Sequence, residues 1–582
     1  MKQLKIIPRT CNQNVRKQLI NLGFNDYEAF ILASRNISSA DEVNYTPVAI
    51  KKFIDNNLSK LKGINEGAKL LANHIIDQKN ITIAGDYDCD GATATATLVA
   101  GIALLGGLQP SYVIPDRRSM GYGLSTKLVD IIPKKTDLII TVDNGISSFD
   151  GVDYAINNGF KVLVTDHHLQ SISDRILNAN AIINPNQIGC EFPDKNIAGV
   201  GVAFLLLIAT NDFLEQSKWY DHLNIKKPSI FSLLDYVAIG TVADVVPLSY
   251  LNRSFIVNGL SLINKNARIG LKSLIDECGL INKNLSSLDV AFMLAPKLNA
   301  AGRVSDMKIG IKLLLSSDKN ETASISKKLV ALNSYRKEIE SEMKNEVDLL
   351  LKMDYKKNNN TVVYFDNSWH EGVIGIVAGR IKDKFNTPTI IFTESSESGI
   401  LKGSGRSIAN FNIKDAISNI NAKDSSIIEK FGGHAMAAGL TINSDKLELF
   451  CQLFEQEYIS VFGNNYQEEI IFFDDYQGGS IYDIGNIKKI FKNHAWGNKF
   501  EQPLFIGVFT VEKIFRLKND HIKFILVEKK SESKIEGILF AGNYDKSDDV
   551  FFDGCTIELL YTTSINYYNG TEKSQIIIKN VL

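Results

Sequence analysis

Three aspartates stand on alternate residues in Gly85-Asp86-Tyr87-Asp88-Cys89-Asp90-Gly91, directly after an apolar run that begins at Ile81. Like charges this close disfavour one another's ionised form, so something positive belongs among them. Hard carboxylate oxygens suit Mg²⁺ or Mn²⁺. A turn whose aspartate caps the next helix is the competing reading, natural for one aspartate and strained for three. An EF-hand is the obvious rival, but its bidentate glutamate is missing and an apolar helix follows at once. Asp143, in Thr141-Val142-Asp143-Asn144-Gly145-Ile146, again ends an apolar run, as do Asp166-His167-His168. Two histidines beside an aspartate at such a place favour contact with metal or phosphate. Asp166 itself fits a group that hydrogen-bonds a ligating imidazole from behind. Asp244 lies within the apolar Ala238–Leu248 segment, where a carboxylate must be paired, hydrogen-bonded or metal-bound.

The elements that must position these groups are legible in the pattern. Ile81–Gly85, Tyr112–Ile114, Leu138–Val142, Lys161–Val164 and Ala181–Ile183 read as short buried strands, with a helix over Ala92–Leu105. Continuous apolar strands separated by helical stretches predict an α/β fold with a mostly parallel sheet. Catalytic groups in such sheets gather at the carboxyl ends of strands. From about 320 to 353, Ile325, Leu329, Leu332, Ile339, Met343, Val347 and Leu350 recur at helical spacing among Lys and Glu. That predicts one long helix, either a connector or an amphipathic helix packed on one lobe. A second α/β block opens at Val362–Phe365 and carries three glycine-rich turns. Strands then alternate over Pro503–Val511, His521–Val527, Ile535–Phe540, Thr556–Tyr561 and Ser574–Ile578, which suits an OB-like β-barrel or a sandwich. The expected divisions are an N-terminal extension over 1–60, a catalytic domain over 61–318, a connector helix over 319–353, an α/β domain over 354–462 and the barrel over 463–582.

Composition bounds the answer without giving it. With 582 residues, 45% hydrophobic and 22% charged, the chain is an ordinary multidomain globular protein. A net charge of −2 neither favours nor excludes nucleic acid. Six scattered cysteines with no Cys-x-x-Cys pair argue against a zinc ribbon or a disulfide framework and fit a reducing cytosol. The first residues lack the apolar core of a signal peptide. The most apolar run, Gly199–Ala209, is expected to be a buried helix too short to cross a bilayer.

Taken in order, the Asp86-Asp88-Asp90 triplet, Asp143, Asp166-His167-His168 and Asp244 resemble the signature of the DHH phosphoesterase superfamily. The turns Ser368–Gly375, Gly403–Ser407 and Gly432-Gly433-His434 look like its DHHA1 accessory domain; glycines there allow close backbone approach, and exposed N–H groups with Arg and His bind oxyanions. Ala295-Pro296-Lys297-Leu298-Asn299-Ala300-Ala301-Gly302-Arg303 and Pro115-Asp116-Arg117-Arg118-Ser119-Met120-Gly121-Tyr122-Gly123-Leu124 are similar to segments of RecJ exonucleases, although Lys297 stands where that family usually has Arg. With the terminal barrel, the resemblance spans essentially the whole chain.

What the resemblance implies is specific. The activity would be 5′→3′ hydrolysis of single-stranded DNA to 5′-mononucleotides, with two divalent cations, Mn²⁺ or Mg²⁺. Asp88 and Asp143 would hold one cation and Asp90, Asp143, His167 and Asp244 the other, with Asp143 bridging. Asp86 would complete or support the set, Asp166 would orient the histidines, and His168 would contact the scissile phosphate. Arg117, Asn299, Arg303, His370, Ser404, Arg406, Gly432, Gly433 and His434 would bind DNA and its terminal 5′-phosphate. Tyr561, Tyr567 and Tyr568 could stack bases, although core packing is the favoured reading. The implied setting is a monomer in the bacterial cytoplasm at the nucleoid, with single-stranded DNA, a RecQ-type helicase and single-strand-binding protein as partners, and no membrane. Competing readings are a DHH–DHHA1 oligoribonuclease or cyclic-dinucleotide phosphodiesterase, and a non-catalytic scaffold that binds single strands.

Overall fold

The computed structural model describes residues 4–116, 120–170, 175–281, 283–354, 360–395, 399–463, 468–476, 481–517, 521–540, 551–568 and 571–582; for 347–354, 469, 567 and 568 the backbone alone is described. A short strand, β1 (Leu4–Pro8), precedes the first sheet, which comprises β2 (Ile81–Ala84), β3 (Ser111–Val113), β4 (Leu138–Val142), β5 (Lys161–Thr165) and β6 (Ala181–Ile183). Its order is β3-β2-β4-β5-β6 and every pair is parallel. Alternation along the strands explains why both faces are covered. Ile83, Ile140 and Leu163 pack with the Ile64–Ile76, Cys89–Leu104 and Gly199–Gln216 helices, whereas Ala84, Ile139, Val162 and Val164 pack with Leu128, Val129 and Val152 on the other face. Strand order reverses between β2 and β4, and the crevice at such a reversal is where sheets of this kind bind ligands.

The Gly199–Gln216 helix departs from expectation in length. It runs 18 residues and is long and apolar enough to cross a membrane, but 67% of that stretch is buried inside the protein. The apolar pattern stopped at Ala209 because Thr210 and Asn211 interrupt it. Both are themselves buried, with Thr210 bonding back to the Leu206 carbonyl and Asn211 to the Pro228 carbonyl.

A 36-residue helix, Lys319–Asp354, leads to a second sheet of β7 (Val362–Phe365), β8 (Thr389–Glu394), β9 (Ile400–Arg406), β10 (Ile428–His434) and β11 (Ala437–Asn443). This sheet is mixed, in the order β10-β11-β9-β8-β7, with only β7 and β8 parallel. Next, β12 (Glu469–Phe473) pairs in parallel with β1, and Arg35 grips Asp474 through two buried bonds of 2.6 and 2.9 Å, so the first residues of the chain are fastened to its last third.

The final strands are β13 (Phe505–Arg516), β14 (Ile522–Glu528), β15 (Lys534–Leu539), β16 (Thr556–Tyr568) and β17 (Thr571–Val581), closed into a barrel in the order β13-β14-β15-β17-β16. The β16–β17 hairpin continues well past Tyr561, the expected end of its first strand. Beyond that point the residues are mostly polar, and ladder bonds persist without an apolar signal. Tyr561 is fully buried and its hydroxyl meets that of Tyr482 at 2.9 Å, so it is core and offers no face to a base. The side chains of Tyr567 and Tyr568 lie outside the described residues.

Candidate metal centre

The aspartate triplet occupies the turn between β2 and the Cys89–Leu104 helix. Asp88 is the N-cap of that helix and accepts from the Gly91 amide at 3.0 Å. The capping and metal readings therefore coexist, since one carboxylate oxygen caps and the other is left for a ligand. Asp86 is buried, and a Cβ at Gly91 would lie 2.6 Å from the Asp86 Cβ, so only glycine lets the helix start this close. Asp90 turns to the N-terminus of the Gly199–Gln216 helix, where its two oxygens accept from the Gly199 and Val200 amides at 2.7 and 3.0 Å. Ala198, the N-cap residue of that helix, has no capping side chain, and Asp90 supplies the missing acceptor and a favourable charge.

Asp143 follows β4 with φ +60°, and a Cβ at Gly199 would come within 2.6 Å of its own Cβ. His167 and His168 follow β5. The His167 Nε2 lies 3.1 Å from Asp143 Oδ1 and 3.5 Å from Asp244 Oδ2. Asp244 arrives as the C-cap of the Leu234–Ala243 helix. Three sets of potential ligand atoms each converge within 4.8 Å: Asp86, Asp88 and Asp143; Asp90, His167 and Asp244; and Asp143, His167 and His168. Asp143 and His167 are each shared by two sets.

The electrostatics show what is missing from this cluster. Burial, then the charges of Asp90 and Asp88, push Asp143 well above the usual carboxylate range. Burial and Asp244 raise Asp90 to about 7, and burial and Asp88 raise Asp244 to about 8. Burial and the neighbouring His168 charge lower His167. Asp143 Oδ1, His167 Nε2 and Asp244 Oδ2 are all buried without a hydrogen-bond partner. Buried polar groups left this way are costly, and three converging acceptors fit a cation. Oxygen-rich sets with one imidazole suit Mn²⁺ or Mg²⁺.

Asp166 plays a different part. Its oxygens accept from the Ile146, His167 and His168 amides, and Oδ1 meets His168 Nδ1 at 2.7 Å. Burial alone would raise Asp166, but the bond and charge of His168 bring it down to about 2. In return, His168 is lifted to about 9 against the opposing effect of burial.

The second lobe faces this cluster through His434. Its ring stacks on His168 with centroids 5.2 Å apart and planes 19° off parallel, and burial followed by the His168 and His167 charges lowers it to about 4. His434 ends β10 beside Gly433, whose φ of +134° and tight approach to Ala437 exclude a side chain, while Gly432 next to it faces open space. Arg303 Nη1 donates to the Gly372 carbonyl at 3.3 Å, tying the Ala295–Val304 helix to the second lobe. His370 Nδ1 accepts from the Gly372 amide at 3.0 Å. Ser404 and Arg406 lie under the start of the Ile374–Phe385 helix, and a Cβ on Gly375 would meet Ser404 Oγ at 2.7 Å and Arg406 Nη2 at 3.0 Å.

Asn299 spends its Oδ1 on the Cys89 amide at 2.8 Å and so braces the aspartate turn. Lys297, two residues earlier, is buried on the other side of the helix near Cys278, so its exchange for the expected arginine falls away from this site. Arg117 lies outside the described residues.

Some contributors carried no assigned role in the sequence reading. The Tyr122 hydroxyl donates to the Asp143 carbonyl at 3.2 Å, and its ring sits edge-on to His168. Asn184 and Asn186 donate to the carbonyls of His168 and His167 at 2.8 and 2.5 Å, fixing the turn that aims both rings. Asn144 donates to the carbonyls of Ala84 and Val142, joining β2 to β4. The Asn-Pro-Asn of 184–186 after a buried strand was the available signal.

Residues 80–241 match the DHH family N-terminal domain, 358–460 the DHHA1 domain, and 480–580 the RecJ OB domain. Fold and site together thus define a two-lobed DHH protein with an appended barrel. Over 557 residues the chain is 38% identical to the single-stranded-DNA-specific exonuclease RecJ of Salmonella typhimurium and 37% identical to that of Escherichia coli, covering 95% of each partner in both comparisons. The chain belongs to the RecJ family. Among solved structures, RecJ from Thermus thermophilus in complex with Mn²⁺ superposes with a TM-score of 0.76 at 25% identity, covering all of this chain and 79% of the other. The same protein in complex with Mg²⁺ gives 0.71.

Proposed function

We propose that the chain is a single-strand-specific 5′→3′ exodeoxyribonuclease that hydrolyses DNA to 5′-mononucleotides with two divalent cations, Mn²⁺ or Mg²⁺. The observation that carries this reading is that Asp143 Oδ1 and Asp244 Oδ2 both approach His167 Nε2, at 3.1 and 3.5 Å, all three atoms buried without hydrogen-bond partners and their residues all within the overlapping ligand sets, opposite a glycine-rich lobe that bears His434. Asp86, Asp88, Asp90, Asp143, His167 and Asp244 would hold the cations, with Asp143 common to both. Bound there, paired cations supply an activated water and neutralise charge on the attacked phosphate.

The remaining steps belong to the chain's own side chains. His168, protonated through its pairing with Asp166, donates to an oxygen of the scissile phosphate. His434 stacks against it and limits where its ring can swing. Ser404 and Arg406, beside the N-terminus of the Ile374–Phe385 helix, form with Arg303, His370, Gly432 and Gly433 an oxyanion pocket for the terminal 5′-phosphate. An end phosphate carries more charge than an internal diester, which makes cutting end-directed. A crevice between two α/β lobes that admits one strand excludes duplex.

Digestion of end-labelled single-stranded and duplex DNA tests the proposal. The expected result is mononucleotide release from 5′ ends of single strands with Mn²⁺ or Mg²⁺ and none with chelator; cleavage of duplex at the same rate, or cleavage with chelator, refutes it. The pocket has its own test. Arg406→Ala removes charge-assisted bonds to phosphate, and kcat/KM on 5′-phosphorylated ends is expected to fall by about 10- to 100-fold. On 5′-hydroxyl ends the loss should be much smaller; equal losses on both would remove Arg406 from the pocket. The wider setting we propose is a cytoplasmic monomer at the nucleoid that receives single strands from a RecQ-type helicase and single-strand-binding protein.

A further inference from the structure

Asp244 stands immediately before a residue in an unfavourable conformation. The Leu234–Ala243 helix ends with Asp244 as its C-cap, and the next residue, Val245, takes φ +58°. Helices often end with one left-handed residue, and glycine usually fills that place. A β-branched side chain there is a genuine outlier, held only where the surroundings over-determine it. Val245 gains nothing by packing, since it is 64% exposed.

What holds it comes from far along the chain. Asn498 Nδ2 donates to the Val245 carbonyl at 2.9 Å, and the Asn498 carbonyl accepts from the Leu248 amide at 2.8 Å. One residue thus straddles both ends of the loop that leaves Asp244. Asn498 sits on a tight turn closed by reciprocal backbone bonds between Gly497 and Phe500. That turn is wedged into the first lobe by Trp496 and Phe500, which are buried and stacked at 5.2 Å. The Trp496 amide donates to Ser287 Oγ at 2.9 Å. Arg253 lies over the Phe500 ring at 4.2 Å and donates to the Leu248 carbonyl at 2.6 Å, closing the circuit from the turn back to the loop. The other ligand-bearing turns are held from within their own lobe: Asn299 braces the aspartate turn, and Asn184 and Asn186 brace the histidines. The loop that leaves Asp244 is held from its own lobe by Asn252 and Arg253, and in addition from the segment that leads into the barrel.

We infer that Asn498 is a positioning residue for Asp244, acting through the strained Val245 turn, and that the C-terminal unit is thereby built into the metal centre. This rests on Asp244 being a metal ligand, as proposed above. Partners that orient ligands typically alter metal affinity by about 10- to 100-fold when removed.

The test uses full-length Asn498→Ala, Val245→Gly, their double variant, and Asp244→Asn, each titrated with Mn²⁺ by electron paramagnetic resonance and melted to confirm folding. Asn498→Ala is expected to weaken Mn²⁺ binding by about tenfold. Glycine adopts positive φ without strain, so adding Val245→Gly should restore binding to within about threefold of the wild type. A general loss of packing would not be repaired by a glycine. Unchanged Mn²⁺ affinity in Asn498→Ala, or a double variant as weak as the single, overturns the inference. If Asp244→Asn binds Mn²⁺ as the wild type does, it is the assignment of Asp244 as a ligand that fails.

Discussion

Asp143→Asn lowers the rate of single-strand digestion by at least ~10³-fold while the protein stays folded and still binds single-stranded DNA. Asp143 is the expected bridge: its carboxylate belongs to two of the three converging sets, and one of its oxygens is buried with no partner. Asparagine is the right replacement for a structural reason. Asp143 holds φ +60°, which asparagine tolerates and alanine resists, and the Gly199 backbone packs against its Cβ. Alanine would mix a backbone effect into the result. Stability in chelator should move the other way. Asp90 and Asp244 titrate at about 7 and about 8 when folded, against 3.8 ordinarily. The folded state therefore holds protons the unfolded state releases, and stability is lost as pH rises from about 4 through about 8. Asp143 is raised with them, chiefly by burial, and replacing it removes its own share of that loss, so chelated Asp143→Asn melts above chelated wild type at pH 8, with the gap closing toward pH 5. Single-turnover digestion, fluorescence anisotropy and thermal melts make the three measurements. Digestion within about tenfold of wild type in a folded variant would remove Asp143 from the bridging position.

The site was legible because its chemistry and its scaffold leave separate marks. Asp143 and the Asp166-His167-His168 run each follow a continuous apolar strand, and a parallel sheet brings such ends together whatever lies between them. Asp244 was legible only as a carboxylate in an apolar segment. Its helix was not, because the Leu234–Ala243 stretch is apolar on every side and so shows no helical period. The supports were harder to see. Asn498, Asn184 and Asn186 act through side-chain amides that donate to backbone carbonyls, and an asparagine in a loop looks the same whether or not it does this. Asn299, expected among the DNA contacts, also has its carboxamide oxygen engaged with the aspartate turn, a bond that no spacing rule could show. The barrel strands were legible wherever inward residues alternate, and the long β16–β17 ends were not, because both faces there are polar.

These differences bear on how the centre resists its own charge. Asp90 is drawn to a helix N-terminus, Asp88 caps another helix, Asp86 accepts from the Tyr87 amide and Asp166 is surrounded by amides, so these four carboxylates at the site are answered by backbone N–H groups. Asp143 and Asp244 each keep an oxygen that is not. Charge left unanswered is where affinity for a cation resides, while the answered aspartates keep the turns in place whether or not a cation is present.

Asp166→Asn is expected to move the alkaline limit of the reaction, which separates proton placement from metal binding. His168 is protonated up to about pH 9 because Asp166 Oδ1 holds its Nδ1 at 2.7 Å, overcoming burial. A histidine raised in this way keeps its charge through neutral pH and loses it as pH rises through 9, so digestion should decline along that limb. In Asp166→Asn the partner's charge and bond are gone and burial still opposes the proton, with only the charges of Asp244 and Asp86 left to raise the ring, so it should titrate well below 9. A fall of about three pH units would leave roughly 1% of the rings protonated at pH 8, and so a roughly 100-fold slower reaction that recovers toward pH 5.5. Asp166 belongs to none of the converging ligand sets, so Mn²⁺ affinity should change far less than the rate. His168→Ala, by contrast, should be slow at every pH. The measurement is a single-turnover pH–rate profile at saturating Mn²⁺. If Asp166→Asn keeps an alkaline limb near pH 9, the proton on His168 is not what Asp166 supplies, and its role reduces to holding the turn through the Ile146, His167 and His168 amides.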